Sequence, residues 1–346
     1  MRILYGVQGT GNGHLTRARV MAPALAAAGI EVQFLFSGRP REKFFDMAVF
    51  GDWWWRRGLT FVSRSGRIDH WRTLAKIGDV PAFVRDVRRL DLAGFDLVLS
   101  DFEPVSAWAA RLRGVPVIGI GHQQAFRHAV PKCRGGWHAR LLLRWYAPAP
   151  IGLGLHWHHF DQPILPPLVS PLPETTTDPR KVLVYLPFES LTSIRTLLQP
   201  FSDRRFHIYH GQVNRPASEG HLHFRPFSRD GFQRDLAACV GVICNSGFEL
   251  ISEALAGGKK ILTKPLGGQW EQCSNARALA LLGWGTVMPR LEPAAVARWL
   301  ESGVAVRVRY PDVAEAVVAW LRDGAGKIDP GWVASVWERC EVRQVA

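Results

Sequence analysis

The sequence predicts a two-domain α/β protein in which each half is a Rossmann-like parallel sheet covered by helices. In both halves of the 346-residue chain, short apolar runs rich in β-branched residues alternate with stretches whose apolar residues recur at helical spacing. Prolines recur between residues 162 and 180, which indicates a linker. We predict a first domain at 1–170, a second at 171–328 and a terminal helix at 329–346, with the active cleft between the two domains.

The composition is typical of a soluble globular protein, with 47% apolar and 21% charged residues. Five cysteines without a CxxC pair argue for a reducing compartment and against a structural zinc site. Residues 1–7 lead directly into a glycine loop without the long apolar segment of a signal peptide. No run reaches the ~20 apolar residues that span a bilayer. We therefore expect a cytoplasmic protein.

The formal net charge of +13 favours an anionic partner, such as nucleic acid, anionic lipid or a phosphorylated substrate. Fourteen tryptophans, several of them next to arginines, fit a membrane–water interface and would also fit stacking on single-stranded nucleic acid. No nucleic-acid-binding motif is recognisable, so nucleic acid is the disfavoured partner. We expect peripheral contact with an anionic surface, on the inner face of the cell membrane.

The first predicted strand, residues 2–7, runs into the loop Gly9-Thr-Gly-Asn-Gly-His14. This loop is not the dinucleotide-binding fingerprint, which needs its third glycine one place later and an acidic residue about twenty positions on. A histidine at a helix N-terminus feels the positive end of the helix dipole, which disfavours its protonated form and leaves it available as a general base. His14 is thus a candidate base, with Gly11 and Gly13 in its loop. The alternative is that His14 only caps the helix or orders the loop.

A second strand at 31–37 is followed by an irregular segment at 39–72 that contains Trp53, Trp54 and Trp55 beside several arginines. A connection of this length in a compact α/β domain usually has a role. The tryptophans either cover the sheet or line an acceptor cleft or a membrane-contacting lip. The remaining elements predicted up to residue 120 are helices at 15–28, 73–92 and 105–113 and strands at 95–99 and 115–120.

Asp101 follows a predicted strand at the rim where ligands of open α/β sheets gather, which is also where His14 should lie. Asp101 could hydrogen-bond His14, fix its tautomer and stabilise the imidazolium, or it could cap the next helix. The two roles are not exclusive. His122 emerges on the same rim and is the second candidate for the base or an acceptor ligand. Asp101-Phe-Glu103 lacks the second aspartate of a metal-binding motif, so we expect no metal here.

Residues 132–146 include a basic helix rich in Trp and Leu, with Arg140 and Arg144 on one face. Such a helix suits the surface of an anionic membrane, and the alternative is an ordinary surface helix whose apolar side faces the core. His156-Trp-His-His159 would place two imidazoles on one face of a strand. No acidic or cysteine partner stands at a useful spacing, so a metal is disfavoured there as well.

The most informative stretch begins at the predicted strand 239–244, where Asn245, Ser246 and Gly247 interrupt the apolar run. Ser246 and Glu249 have the spacing of a capping box, which predicts that a helix begins here. A small-residue turn between a strand and a helix N-terminus presents free N–H groups and the positive end of the dipole to one spot. This arrangement suits a diphosphate.

The next strand, 260–264, stops at Pro265, and its loop carries side chains that can hydrogen-bond hydroxyls: Gln269, Glu271 and Gln272, with Asn275 opening the following helix. Gly211, at the end of a strand at 206–210, is a further candidate for lining the cleft. The other elements predicted in this half are strands at 181–186, 222–224 and 286–288 and helices at 191–200, 232–239, 293–302, 311–322 and 332–340.

These residues resemble the nucleotide-sugar-binding segment of GT-B glycosyltransferases. The closest likeness is to the group of peptidoglycan N-acetylglucosaminyltransferases and plant galactolipid synthases, with the wider UDP-glycosyltransferases behind it. The resemblance implies that Ser246 and Gly247 meet the diphosphate, that Glu253 binds the ribose and that Phe227 offers backbone hydrogen bonds to the base. Many relatives have histidine where this chain has Asn245, so a histidine contact to the phosphate is not implied.

The same resemblance implies that the donor sugar is met by Gln269, Glu271, Gln272 and Asn275. The glycine-rich first loop that ends in His14 also resembles that of the group, whose plant-type members use a His–Asp pair. The implied activity is inverting, metal-independent transfer of a sugar from a nucleotide sugar, in the first place a UDP-sugar, to an acceptor hydroxyl. The nucleotide sugar is a co-substrate, and no cofactor is expected.

The basic, tryptophan-rich first domain points to an acceptor that is lipid-linked or held at the membrane, and the terminal helix is expected to cross back onto that domain. Two rival functions remain open. One is a nucleotide-sugar epimerase or hydrolase on the same fold, and the other is a non-catalytic protein that binds membranes or nucleic acid through its charge.

Overall fold

The structure, a computed structural model, describes residues 1–59, 63–64, 67–68, 80–134 and 137–345. The described residues form two large sheets joined by an irregular segment between residues 155 and 177. The predicted α/β architecture of two sheet domains is therefore confirmed. Predictions for residues 69–79, including Trp71, Arg72 and the start of the helix expected at 73–92, lie outside the described residues.

The first sheet has six parallel strands in the order β3-β2-β1-β6-β7-β8. Its strands, with the separate antiparallel pair β4 and β5, are β1 (Arg2–Gln8), β2 (Glu31–Ser37), β3 (Trp54–Trp55), β4 (Ser63–Arg64), β5 (Arg67–Ile68), β6 (Leu97–Asp101), β7 (Val117–Gly121) and β8 (Ile151–Gly154). The helices of this half are Asn12–Ala27, Val80–Arg89, Pro104–Arg113, His122–Ala125 and Trp137–Tyr146, with short 3-10 helices at Arg41–Lys43 and Ala48–Phe50.

The sequence of strand β1 is apolar along most of its length because both of its faces are buried. Its alternate side chains Ile3 and Tyr5 pack into one core with residues of the helix Asn12–Ala27. Leu4 points to the opposite face and joins a second core with residues of the helix Pro104–Arg113. Because both faces of the sheet are covered, both sets of side chains have to be apolar.

The second sheet has the order β11-β12-β10-β9-β13-β14-β16-β17, with β15 pairing with β14. Its strands are β9 (Asp178–Tyr185), β10 (Arg205–Tyr209), β11 (Ala217–Glu219), β12 (Leu222–Arg225), β13 (Cys239–Asn245), β14 (Lys260–Lys264), β15 (Thr286–Val287), β16 (Ala305–Arg309) and β17 (Glu341–Val345). The helices are Leu191–Leu198, Arg229–Ala238, Phe248–Ala256, Trp270–Leu282, Pro293–Ser302, Val313–Arg322 and Pro330–Trp337.

The last part of the chain differs from the prediction. The final helix ends at Trp337, and the chain then forms β17, an edge strand antiparallel to β16. The mixed edge β16–β17 was missed because its alternating charged residues read as solvated chain rather than as a buried strand. The final helix contacts the segment before the second sheet, where the indole of Trp337 donates to the carbonyl of Ile164 at 2.6 Å.

The three adjacent tryptophans cover the first sheet. Trp53 packs edge-on against Phe36, with ring centroids 5.5 Å apart. The ring centroids of Trp54 and Phe95 lie 6.1 Å apart, and the Trp55 indole donates to the carbonyl of Arg39 at 2.8 Å. Of the two roles left open, the structure therefore favours the structural one. Among the described helices, none is long and apolar enough to cross a membrane.

Candidate active site

The loop after β1 and the end of β6 bring His14 and Asp101 together. Strands β1 and β6 are parallel neighbours, so their carboxyl ends meet at one edge of the sheet. The helix Asn12–Ala27 begins after Gly11, which makes no side-chain cap, and His14 lies in its first turn. Nδ1 of His14 lies 2.7 Å from Oδ1 of Asp101, and Nε2 bonds no residue in the described part of the chain. Asp101 can thus hold the tautomer that leaves Nε2 free to accept a proton.

Asp101 is fully buried next to a cation. Burial opposes its ionisation, but the charge of Arg17 and the contact with His14 outweigh burial and hold the pKa of Asp101 below its ordinary value. Arg17 donates two hydrogen bonds of 2.6 Å to this carboxylate, from Nε and from Nη2. Sequence reasoning missed Arg17, because an arginine in an amphipathic helix reads as a solvated residue.

The capping role considered for Asp101 is wrong. The helix Pro104–Arg113 starts three residues after Asp101, with Pro104 in its first position, so the cap falls on Glu103. Glu103 accepts from the backbone N–H groups of Val105 and Ser106 at 2.9 and 2.6 Å. This arrangement leaves both oxygens of Asp101 to His14 and Arg17.

Phe102, between these two acids, has a φ of +55°. A bulky residue in the left-handed region is an outlier that surrounding structure must hold in place. The Phe102 ring lies parallel to His14, with centroids 6.4 Å apart, and stacks on Tyr146 at 4.8 Å. The strained turn thus supplies an aromatic wall for the imidazole.

On the facing half, the turn after β13 is built as predicted but without the capping box. Gly247 is the N-cap of the helix Phe248–Ala256 and makes no side-chain cap. The hydroxyl of Ser246 bonds that of Thr263 at 2.8 Å, and Glu249 bonds Arg17 across the cleft. The capping box fails because both of its side chains have tertiary partners. The first-turn N–H groups are consequently left without a side-chain acceptor, as an anion site requires.

Glu253 lies on the second turn of the same helix and is 6% exposed. Its carboxylate accepts from the amide of Gln233 at 3.0 Å. Burial raises the pKa of Glu253 to about 7. At the ends of neighbouring strands, the exposed ring of Phe227 lies against Gly211, where an added Cβ would stand 3.3 Å from the ring. Phe227 and Gly211 follow the neighbouring parallel strands β12 and β10, so they lie at the carboxyl edge of the second sheet.

The four residues expected to meet the sugar lie together on or next to the helix Trp270–Leu282. The Gln269 side chain caps this helix by accepting from the N–H of Gln272 at 3.0 Å, and the Gln272 amide oxygen accepts from the N–H of Leu266 at 2.8 Å. The amide of Asn275 donates to the carbonyl of Ser246 at 3.0 Å. These amides order the loop, while Glu271 lies 3.3 Å from the Gln123 amide nitrogen, across the cleft.

Asn245, the position where this chain departs from many relatives, bonds the neighbouring strand. Its amide nitrogen donates to the carbonyl of Lys264 at 2.9 Å. Its Oδ1 is buried and accepts no hydrogen bond from the described residues. Asn245 therefore joins β13 to β14 at the base of the turn.

His122 is 1% exposed and joins the two halves. Nδ1 lies 2.9 Å from the carbonyl of Leu155, Nε2 lies 2.6 Å from Oδ1 of Asn275, and the ring stacks on Phe248 with centroids 4.1 Å apart. Burial lowers the pKa of His122. Both nitrogens face protein oxygens, so His14 is the better placed of the two candidate bases.

A disulfide joins Cys133 of the first half to Cys273 of the helix Trp270–Leu282. Around it, the N–H of Cys133 donates to the hydroxyl of Ser274 at 3.1 Å, and the indole of Trp270 donates to the carbonyl of Cys133 at 3.0 Å. This bond disagrees with the sequence interpretation, which took the five cysteines as typical of a reducing compartment. A separation of 140 residues leaves no local signal for the pairing.

One face of the first half combines exposed apolar and basic side chains. Leu112, Leu141 and Trp145 are 63%, 56% and 46% exposed. The Arg111 guanidinium lies 5.6 Å from the ring centroid of Trp145, and that of Arg144 lies 5.8 Å from it. The side chain of Arg140 lies outside the described residues. We call these five described residues the basic aromatic face.

The histidine run at 156–159 forms a turn rather than a strand. His156 is buried, and its Nδ1 accepts from the N–H of Trp157 at 2.8 Å. In the part of the chain that the structure describes, no group of three His, Cys, Asp or Glu side chains is arranged to hold a metal ion.

Comparison with known proteins supports the family predicted from the sequence. The family model described as glycosyl transferase family 1 matches residues 1–136 and 159–302. An uncharacterized glycosyltransferase of Methanosarcina acetivorans is 32% identical over 127 residues, which are 36% of this chain and 32% of that protein. The matched region thus spans about a third of the length of this curated relative.

Solved structures share the two-sheet fold. Spinosyn rhamnosyltransferase SpnG, complexed with thymidine diphosphate, has a TM-score of 0.58 and 16% identity, with 98% of this chain and 100% of the other covered. MurG of Acinetobacter baumannii has a TM-score of 0.50 and 16% identity, with 98% and 94% covered. The predicted fold is confirmed, and because the family model matches well over half of the residues, the chain belongs to glycosyl transferase family 1, with the GT-B fold.

Proposed function

We propose that this protein is an inverting, metal-independent glycosyltransferase that moves a sugar from a nucleotide sugar, first of all a UDP-sugar, to an acceptor hydroxyl. The observation that carries the proposal is the His14–Asp101 pair, which faces the uncapped helix N-terminus at Gly247. The contact of Arg17 with Glu249, two residues beyond that N-cap, brings the two parts to opposite walls of one cleft.

In the proposed reaction, Nε2 of His14 removes the proton of the acceptor hydroxyl while its oxygen attacks the anomeric carbon. The new carbon–oxygen bond forms on the side opposite the diphosphate, whose bond to the sugar breaks with its electron pair going to the phosphate oxygen. Asp101 accepts from Nδ1–H and stabilises the imidazolium that forms. Attack from the opposite side inverts the configuration of the anomeric carbon.

The first turn of the helix Phe248–Ala256 is our candidate for stabilising the departing diphosphate. Its N–H groups and the positive end of the helix dipole would face the charge that develops on the leaving group. This is the support for a metal-independent reaction. No cofactor enters the proposed chemistry, because the nucleotide sugar itself supplies the activated bond.

For the donor, we propose that Glu253 binds the ribose hydroxyls and that the base lies by Phe227 and Gly211. The buried Glu253 side chain has one described donor, Gln233, and its remaining acceptor capacity suits a pair of hydroxyls. Glu271, with the ordered amides of Gln269, Gln272 and Asn275 beside it, would meet the sugar. The thymidine diphosphate bound by SpnG is a pyrimidine diphosphate, as UDP is.

For the acceptor, we propose a lipid-linked molecule reached at an anionic membrane, to which the protein binds peripherally from the cytoplasmic side. The basic aromatic face supports this, because Trp145 and Leu141 are exposed beside Arg111 and Arg144. Sedimentation with phosphatidylglycerol vesicles should carry the protein down, and a Trp145→Ala, Arg144→Gln variant should remain in the supernatant. Equal binding to phosphatidylcholine vesicles would contradict the role of charge.

A thermal-shift screen of UDP- and dTDP-sugars, followed by measurement of released nucleoside diphosphate, tests the donor proposal. We expect a rise in melting temperature with the correct donor and with UDP. Glu253→Ala should abolish this rise, whereas Glu338→Ala, which removes an exposed carboxylate, should keep it. Rapid conversion of a UDP-sugar to an epimer, or rapid release of UDP, without acceptor would favour the rival epimerase or hydrolase. No shift with any nucleotide would refute the donor site.

A further inference from the structure

Arg17 connects the two walls of the cleft through one buried guanidinium. The side chain is 2% exposed and lies one turn after His14 on the helix Asn12–Ala27. Two of its nitrogens bond the oxygens of Asp101, and its Nη1 donates to Oε1 of Glu249 on the opposite half. The sequence gives no local signal for this contact, because Arg17 and Glu249 are 232 residues apart.

Arg17 and Glu249 each lie on the same helix as a group that the proposed reaction uses. Glu249 is the second residue of the helix whose N-cap is Gly247, so its backbone moves with the phosphate turn. Gly13, next to His14, approaches Glu249 so closely that an added Cβ would stand 2.8 Å from Glu249 Cγ. The loop therefore needs glycine at this position for the two walls to meet.

The charges around Arg17 explain why an arginine is needed. Its guanidinium faces Asp101 and Glu249, with Nη2 also 3.1 Å from Nδ1 of His14. Burial raises the pKa of Glu249 to about 8; the charge of Arg17 opposes that rise, and the carboxylates of Asp101, Glu253 and Glu271 add to it. One cation with a planar fork can bond both carboxylates at once, which the single ammonium of lysine cannot do with the same geometry.

We propose that Arg17 and Glu249 are positioning residues for sugar transfer: their contact closes the cleft so that His14 meets the anomeric carbon above the phosphate turn. This inference rests on the proposed function.

The test uses the full-length protein, with UDP as the binding probe and water as the acceptor. The activity measured is the slow release of UDP from the UDP-sugar that the wild type hydrolyses fastest. This assay does not require the natural acceptor to be known. The variants that break the contact are Arg17→Lys and Glu249→Ala. Glu249→Gln is the conservative variant, because its amide keeps an oxygen that can accept from Arg17. Arg19→Lys is the matched control, because Arg19 is also buried on the same helix but bonds the carbonyls of Phe45 and Asp46.

We expect both variants to bind UDP within threefold of the wild type, because the turn at Gly247 and Glu253 are untouched. The kcat of UDP release should fall about 10²-fold in both, as a misplaced catalytic group predicts. In the Arg17→Lys, Glu249→Ala double variant the losses should not add. Glu249→Gln should recover most of the kcat that Glu249→Ala loses. Arg19→Lys should match the wild type.

The inference is overturned if kcat in both variants equals that of Arg19→Lys, or if the two losses simply add. If Arg17→Lys does not fold, the loss in Glu249→Ala and its recovery in Glu249→Gln decide. A wild type that binds no UDP and releases none would instead refute the proposed function, so the two failures are distinguishable.

Discussion

Two of the junctions that join the halves of this molecule use different bonding. Beside His14 the junction is ionic, with Arg17 shared between Asp101 and Glu249. Beside the helix Trp270–Leu282 it is covalent and apolar, with the disulfide at Cys273 and the ring of His122 stacked on Phe248. An ionic junction changes its energy with protonation and with a bound anion, whereas a disulfide does not. The wall that would meet the reacting charges is therefore the one that can respond to them.

The largest effect should come from removing His14, the proposed base, which lies at the ionic junction. We expect His14→Ala to lower kcat about 10³-fold, because no other described side chain at this site can take the acceptor proton from the same position. The measurement is UDP release at saturating donor. His159→Ala, which removes an imidazole from the surface turn, is the control and should keep wild-type kcat. A loss of less than threefold in His14→Ala would assign the base elsewhere, with His122 the next candidate.

The covalent junction should contribute to stability more than to chemistry. Cys133→Ser removes a cross-link between residues 140 apart, and we expect the free energy of unfolding to fall by about 2–5 kcal/mol. Dithiothreitol should lower the melting temperature of the wild type to that of the variant, and should leave the variant unchanged. Cys340→Ser, at a free cysteine, is the control.

Counting thiols in the denatured, unreduced protein gives an independent check on this junction. The bonded pair leaves Cys239, Cys244 and Cys340 as free thiols. If all five cysteines of the sequence react without a reductant, the junction does not form in solution, and the comparison between the two walls loses its covalent half.

The sequence predicted contacts between residues that are close in the chain or on neighbouring strands, and it missed contacts between the two halves. Ser246 and Gly247 lie between a strand and a helix, so the local pattern alone placed them at a helix N-terminus, whereas Glu253 was identified through the family resemblance. The pairing of His14 with Asp101 was also within reach, because neighbouring parallel strands end at the same rim. Arg17 with Glu249, and Cys133 with Cys273, depend on how the two halves dock, and no local pattern encodes that. The false capping box at Ser246 has the same origin, since a tertiary partner outcompeted a local one.

The smallest predicted effect is a pH dependence of stability from the carboxyl groups of the cleft. Burial raises the pKa of Glu249 to about 8 and that of Glu253 to about 7, above their ordinary 4.5. Between about pH 4.5 and 7 the unfolded chain loses these protons while the folded chain keeps them, so stability should fall as pH rises through this window.

Melting curves at low salt between pH 5 and 8 measure this effect. We expect a loss of roughly 1–3 kcal/mol across the window in the wild type, and a shallower slope in Glu253→Gln, whose amide cannot ionise. Glu338→Gln, at an exposed carboxylate, should keep the wild-type slope. If Glu253→Gln instead keeps the wild-type slope, Glu253 is ionised in the folded protein already at low pH. The cleft would then be wetter than its burial indicates, and Glu253 would bind ribose hydroxyls as a solvated carboxylate.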